Sequence, residues 1–247
     1  MPGDTNILSR AVLAALGYIA IMAVGMFTAG HLVGFHYGDE RIVYVLLFFE
    51  IAMSLYAVVQ ARRLFGAWQC GFGPIDWRGM IWLLPNFALM AALWVALFRT
   101  GTISLSGLAL TIVVTMILVG FSEELAFRGI ALQGGLRGTT TGRAILISAA
   151  LFSLLHSVNT LAYVPLDGMI QQMALTFVFG LAMSCYALRL NSLVPLMVFH
   201  ALWDMVQFLG GVWRADFGSL ILIGIVVNAL VALVLWAIEI RKRRGAV

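Results

Sequence analysis

Two adjacent carboxylates and a guanidinium fall within Ser122-Glu123-Glu124-Leu125-Ala126-Phe127-Arg128-Gly129, at the end of the apolar run 105–120. A charged side chain inside a membrane span costs about 2.5–3.5 kcal/mol on insertion scales, so three together need partners or a task. On a helix Glu124 and Arg128 are four apart and share a face. They can pair, with the glutamate on the favoured N-terminal side. Glu123 points about 100° away and is free to face something else. Three more ionisable side chains interrupt later apolar runs: His156, followed by His200 and Asp204 four residues apart. Phe152 shares a helical face with His156 in the same way. This set suits proton-transfer chemistry. Peptide hydrolysis needs a base to activate water, donors for the developing oxyanion and an acid for the leaving amine.

The elements that must position these groups are helices crossing a bilayer. Of 247 residues, 62% are hydrophobic and 11% charged, with a mean hydropathy of +1.02, the composition of a polytopic membrane protein. A span needs about 20 mainly apolar residues. Eight such runs are expected, at 12–33, 42–61, 80–98, 105–127, 144–164, 169–188, 193–211 and 220–240. The leader before the first run holds Arg10 against Asp4, and the run is long enough to span, so it does not read as a signal peptide. The chain is thus expected to be all-α, one integral membrane domain over 1–247 with a motif-bearing core at about 105–208, enclosing a polar cavity.

The net charge of +4 rests on arginines between apolar runs, with Lys242 the single lysine. That is the membrane pattern and excludes a nucleic-acid footprint. With both termini cytoplasmic, the inner segments hold Arg10, Arg62, Arg63, Arg78, Arg137, Arg143, Arg189 and 241–244; the outer loops hold Arg41, Arg99 and Arg214. Eleven of the fifteen basic residues then lie inside, which supports the count and the orientation together. The basic tail 241–244 reads as a topology anchor. The linker 62–79, with Trp68, Pro74 and Trp77, reads either as an interfacial segment or as a loop with aromatic anchors. The two cysteines, Cys70 and Cys185, suggest no disulfide framework.

Counting helical rise from the cytoplasmic ends puts His156 ~18 Å deep, His200 ~10 Å and Asp204 ~16 Å. With Glu123 approaching the same side, the four are expected between the bilayer centre and the cytoplasmic leaflet, around a wet cavity. That depth implies substrates arriving from the cytoplasm or sideways from lipid. Glu239 is expected to snorkel to the interface, and His31 and His36 to sit at the outer interface without a special role.

Glu123-Glu124-x-x-x-Arg128, Phe152-x-x-x-His156 and His200-x-x-x-Asp204 resemble, in order and separation, the three motifs of the CPBP (Abi) family of type II CAAX prenyl endopeptidases and bacteriocin-processing enzymes. Gly180 and the approach Asn191-Ser192-Leu193-Val194-Pro195 are similar to the family as well, so that the likeness covers 105–208. The resemblance implies a metal-independent intramembrane glutamic protease without a cofactor. In it Glu123 would be the catalytic glutamate, helped by His156 in activating water. His200 and Asp204 would stabilise the oxyanion, with Glu124 and Arg128 mainly structural and Phe152 supporting His156. Asp204 can donate to an oxyanion only when protonated; otherwise it orients His200. The partners implied are the bilayer and a peptide or membrane-protein substrate, with or without a lipid modification. Short loops and a basic inner face suggest a bacterial inner membrane. Three other readings compete: a metal-dependent hydrolase using His156, His200 and a carboxylate, a non-catalytic scaffold or bacteriocin-immunity protein that keeps the polar core, and a proton-coupled transporter, which the lack of repeats and of paired broken helices disfavours.

Overall fold

The structure is a computed structural model that describes residues 5–66 and 70–244. Asp4 and Trp68 lie outside the described residues, as do the side chains of Lys242, Arg243 and Arg244. The described residues form nine α-helices and no strand: α1 (Thr5–Phe27), α2 (Val43–Phe65), α3 (Leu84–Thr100), α4 (Gly107–Glu124), α5 (Gln133–Gly138), α6 (Thr141–Leu155), α7 (Leu166–Leu190), α8 (Val194–Trp213) and α9 (Leu220–Arg244). Grouped into continuous runs, eight are long and apolar enough to cross a membrane, so the chain is a multi-pass helical bundle. Side chains such as Leu13, Phe48, Leu110 and Leu233 stay exposed on its outside, where lipid rather than water is the solvent.

The largest departure from the sequence expectation is the fourth span. It was expected to stop at 127, but the helical run continues to Gly138. A π-helical segment, Leu125–Leu132, joins α4 to α5, and every residue in it is buried. Widening a helix to π geometry disturbs its regular backbone bonds, which a membrane interior tolerates only where they are met again. Ser148 on α6 does this, donating to the Phe127 carbonyl at 2.8 Å, and Ser184 on α7 donates in turn to Ser148 at 3.2 Å. The extension moves Glu123 from near the end of its span to the midpoint of the run Gly107–Gly138.

Helices α4 and α8 pack extensively on each other. Gly120 permits it: a Cβ there would stand 2.6 Å from the Met197 carbonyl oxygen and 2.7 Å from the Ala201 nitrogen. The small residue lets two backbones meet one turn from Glu124. Helices α3, α7 and α9 are joined by Asn86, whose Nδ2 donates to Tyr186 Oη at 2.7 Å and to Asn228 Oδ1 at 3.1 Å. Paired amides of this kind hold helices where apolar contact alone has no preference over lipid.

Among the described residues between α2 and α3, 70–78 form turns and irregular backbone. Gly71 and Asp76 bond through their backbones to Leu193 and Leu190, and Phe72 forms an isolated bridge with Ser192. The loop is therefore laced to the α7–α8 turn on the face that carries both chain ends. Glu239 does not snorkel. It is buried and pairs with Arg189 at 3.0 Å, because α9 lays it against α7. His31 and His36 sit on the opposite face, each within ring contact of Tyr163.

Candidate active site

Helix α4 delivers Glu123 and Glu124 in one turn, and their divergence by 100° gives them different partners. Glu124 is fully buried and meets Arg128 Nη1 at 3.0 Å, the i,i+4 pair that the spacing predicts. The guanidinium also lies over the Phe152 ring, 4.2 Å from its centroid. A buried arginine needs this company, since an unpaired charge in a low-dielectric interior costs several kcal/mol.

Helix α8 brings His200 to the same place. Its Nδ1 stands 2.8 Å from Glu124 Oε1, so Glu124 holds both Arg128 and the imidazole. Its Nε2 faces two more carboxyl groups, Asp204 Oδ2 at 3.4 Å and Glu123 Oε2 at 3.7 Å. One ring thus lies among three acids from two helices. Glu123 Oε2 is buried and has no hydrogen-bond partner among the described residues.

His156 ends α6, where the helix tightens to a 3₁₀ turn over His156–Ala162. Its Nδ1 is 3.0 Å from the Phe152 carbonyl oxygen. A carbonyl can only accept, so Nδ1 carries the proton and Nε2 of the neutral ring is left as an acceptor. Phe152 is the hub of the cluster. Its ring lies 5.1 Å from His156, 5.9 Å from His200 and 5.4 Å from Phe127.

Glu123, Phe152, His156, His200 and Asp204 line a single cavity of about 310 Å³. Glu124 and Arg128 stand behind that wall. All seven residues singled out in the sequence therefore belong to one cluster. The depth of Glu123 differs from the expectation. Most lining residues come from helix midpoints or from the halves nearer the face opposite the chain ends, out to Tyr37 in the 34–39 loop, whereas His200 lies in the half of α8 nearer the chain ends. The fourth span's extension explains the difference for Glu123, whose helix was expected to end eleven residues too early; His156, His200 and Asp204 were counted from span starts that lie within three residues of Thr141 and Val194.

Sequence reasoning missed Glu50. It lies in α2, is completely buried, and lines the same cavity. Its Oε2 accepts from Ser122 Oγ at 3.0 Å, and Ser122 is 2.6 Å from Tyr18 Oη. Glu50 Oε1 has no partner among the described residues. A signal was available, since a single acid within the apolar run 42–61 is itself a mark of function or of a hidden partner. The same network occupies Ser122 and accounts for its complete burial.

Among the described residues no three His, Cys, Asp or Glu side chains are grouped so as to hold a metal ion. The one nitrogen of His156 with an identified partner bonds a carbonyl, and both nitrogens of His200 face carboxyl oxygens.

Residues 105–206 match the family model described as type II CAAX prenyl endopeptidase Rce1-like. The segment spans α4 to most of α8 and contains every residue of the three motifs. No curated protein and no solved structure matches the chain. The motif-bearing segment is thus similar to this protease family, and the residues that carried the resemblance, from Glu123 to Asp204, fall within the match.

Proposed function

We propose that this Rce1-like membrane protein is an intramembrane endopeptidase that hydrolyses a peptide bond with water activated by Glu123. The observation that carries the reading is the arrangement of Glu123. Its unpartnered Oε2 borders a cavity shared with two histidines and Asp204, while its neighbour Glu124 is tied down by Arg128.

In this reading a water molecule lies between Glu123 and His156. Glu123 takes one proton, with the free Nε2 of His156 accepting the second hydrogen bond. The water oxygen attacks the peptide carbonyl carbon, and the carbonyl oxygen gains the electron pair. His200 Nε2 donates to that oxyanion, as a preorganised donor in a dry site should. Asp204, 3.4 Å from the same nitrogen, orients the ring. Glu124 holds the other side through Nδ1, so the imidazole cannot turn. When the carbon–nitrogen bond breaks, Glu123 returns its proton to the leaving amine. Two products and the original protonation states result.

The test compares peptide termini in membranes from cells making the protein and cells making Glu123→Gln at equal abundance. New termini that need Glu123 support the protease, and their sequences define the substrate. Identical profiles from two folded proteins overturn it and favour a binding scaffold. Repeating the assay with a chelator separates a glutamic mechanism, which survives, from a metal-dependent one.

A further inference from the structure

The cavity has one closed end. Beneath Glu123, on the side of the chain ends, the π-helical segment Leu125–Leu132 is buried throughout, with Phe127 and Arg128 at 0% exposure. The 70–76 loop lies directly against it: a Cβ on Gly129 would stand 3.1 Å from the Cys70 carbonyl oxygen. Exposure rises in the other direction. The side chains of Glu123 and His200 are 6% and 5% exposed, that of Asp204 25%, and the whole of Tyr37 37%.

The far end is a polar rim. Gln172 donates to Tyr37 Oη at 2.9 Å and accepts from Asn159 Nδ2 at 3.0 Å. Side-chain amides there and at Gln207 can bond an extended peptide backbone, which must find partners inside a bilayer. Apolar side chains, Met22, Met26 and Met116 among them, fill much of the remaining wall. Methionine is an adaptable lining for apolar groups of varied shape. Helices α7 and α8 both line the shaft yet touch each other little, and Ile221 and Ile225 of α9 stand beside the gap.

The basic residues lie at the closed end. Arg62, Arg63, Arg78, Arg137, Arg143 and Arg189 are on the face that carries the chain ends, against Arg41, Arg99 and Arg214 on the other. Such a bias marks the cytoplasmic face. We infer that the site is served from the non-cytoplasmic face, and that its substrates are membrane-anchored peptides whose extended apolar segment enters from that face and is cut near the bilayer centre. The substrate class rests on the protease reading; the side of access does not. A peptide tail presented in the cytoplasm would meet the closed end.

Single cysteines test the side of access with a membrane-impermeant maleimide. Tyr37→Cys and Gln207→Cys report on the mouth and wall, and Arg63→Cys on the basic face. The parent chain, whose Cys70 and Cys185 are buried, gives the background. Labelling of Tyr37→Cys and Gln207→Cys in intact cells, with Arg63→Cys labelled only in inverted vesicles, is the expected result. Labelling of either cavity cysteine only in inverted vesicles overturns the inference. The termini assay supplies the second arm: Glu123-dependent cuts should map to apolar segments continuous with a non-cytoplasmic chain, and cuts confined to cytoplasmic tails overturn the substrate class. Labelling as expected without any such cuts removes the protease and the substrate class but leaves the side of access. Labelling from the basic face with such cuts does the reverse.

Discussion

Replacing Arg128 by methionine removes one member of a completely buried ion pair and leaves the other. At 3.0 Å two unit charges attract by about 5 kcal/mol at an effective dielectric of 20. Most of that is consumed by desolvation in the intact pair, but truncating one partner exposes the penalty, typically about 3–5 kcal/mol. Two local features bear on the figure. Loss of the guanidinium from the Phe152 face removes a desolvated cation–π contact of about 2 kcal/mol. The His200 bond to Glu124 Oε1 survives and moderates the cost, as a bond to a charged group contributes about 1.5–3 kcal/mol. Arg128→Met alone should therefore destabilise the protein by about 3–5 kcal/mol. Adding Glu124→Gln removes the stranded charge while keeping an acceptor for His200. The double variant should then be more stable than the sum of the singles by about 2–3 kcal/mol, within the range for directly coupled residues. Unfolding in mixed micelles by rising dodecyl sulfate, followed by tryptophan fluorescence, supplies all four corners of the cycle. Asp39→Asn, at the exposed Arg41 pair, is the control and should change little because solvent screens it. Additivity within about 0.5 kcal/mol, or an Arg128→Met cost no larger than the control, would refute the buried-pair argument.

Gly120→Val should force α4 from α8, since even a Cβ there would meet the backbone at Met197 and Ala201. We expect about 1–3 kcal/mol lost to overpacking and fewer Glu123-dependent termini, because Glu123 and His200 sit on the two separated helices. Tyr18→Phe deletes the hydroxyl beside Ser122 and should cost about 0.5–1.5 kcal/mol in the same micelle assay. Glu50→Ala strips Ser122 of its acceptor and should cost more, about 1–3 kcal/mol, with Glu50→Gln recovering most of it. Phe152→Ala removes the ring that touches Arg128, His156 and His200; a loss of about 3–5 kcal/mol is expected from the cavity, and proteolysis should fall with it. No drop in stability for Phe152→Ala would show that the ring is not the hub described.

Interactions within one helix were legible in the amino-acid sequence. Helical spacing alone pairs Glu124 with Arg128, sets Phe152 beside His156 and sets His200 one turn from Asp204, because residues four apart share a face whatever surrounds them. Hydropathy marked eight spans, since a run of apolar residues long enough to cross lipid has few other uses. Tertiary structure decided which faces meet. His200 Nδ1 reaches Glu124, 76 residues away in sequence, because Gly120 lets α4 and α8 approach. Glu50 joins the cavity because α2 packs beside α4. The depth of Glu123 depended on a π-helical extension supported by Ser148 from another helix, so the apparent end of its span misplaced it. Local periodicity specifies neighbours along a helix; contacts between helices, and the side on which a cavity opens, follow from how their backbones pack.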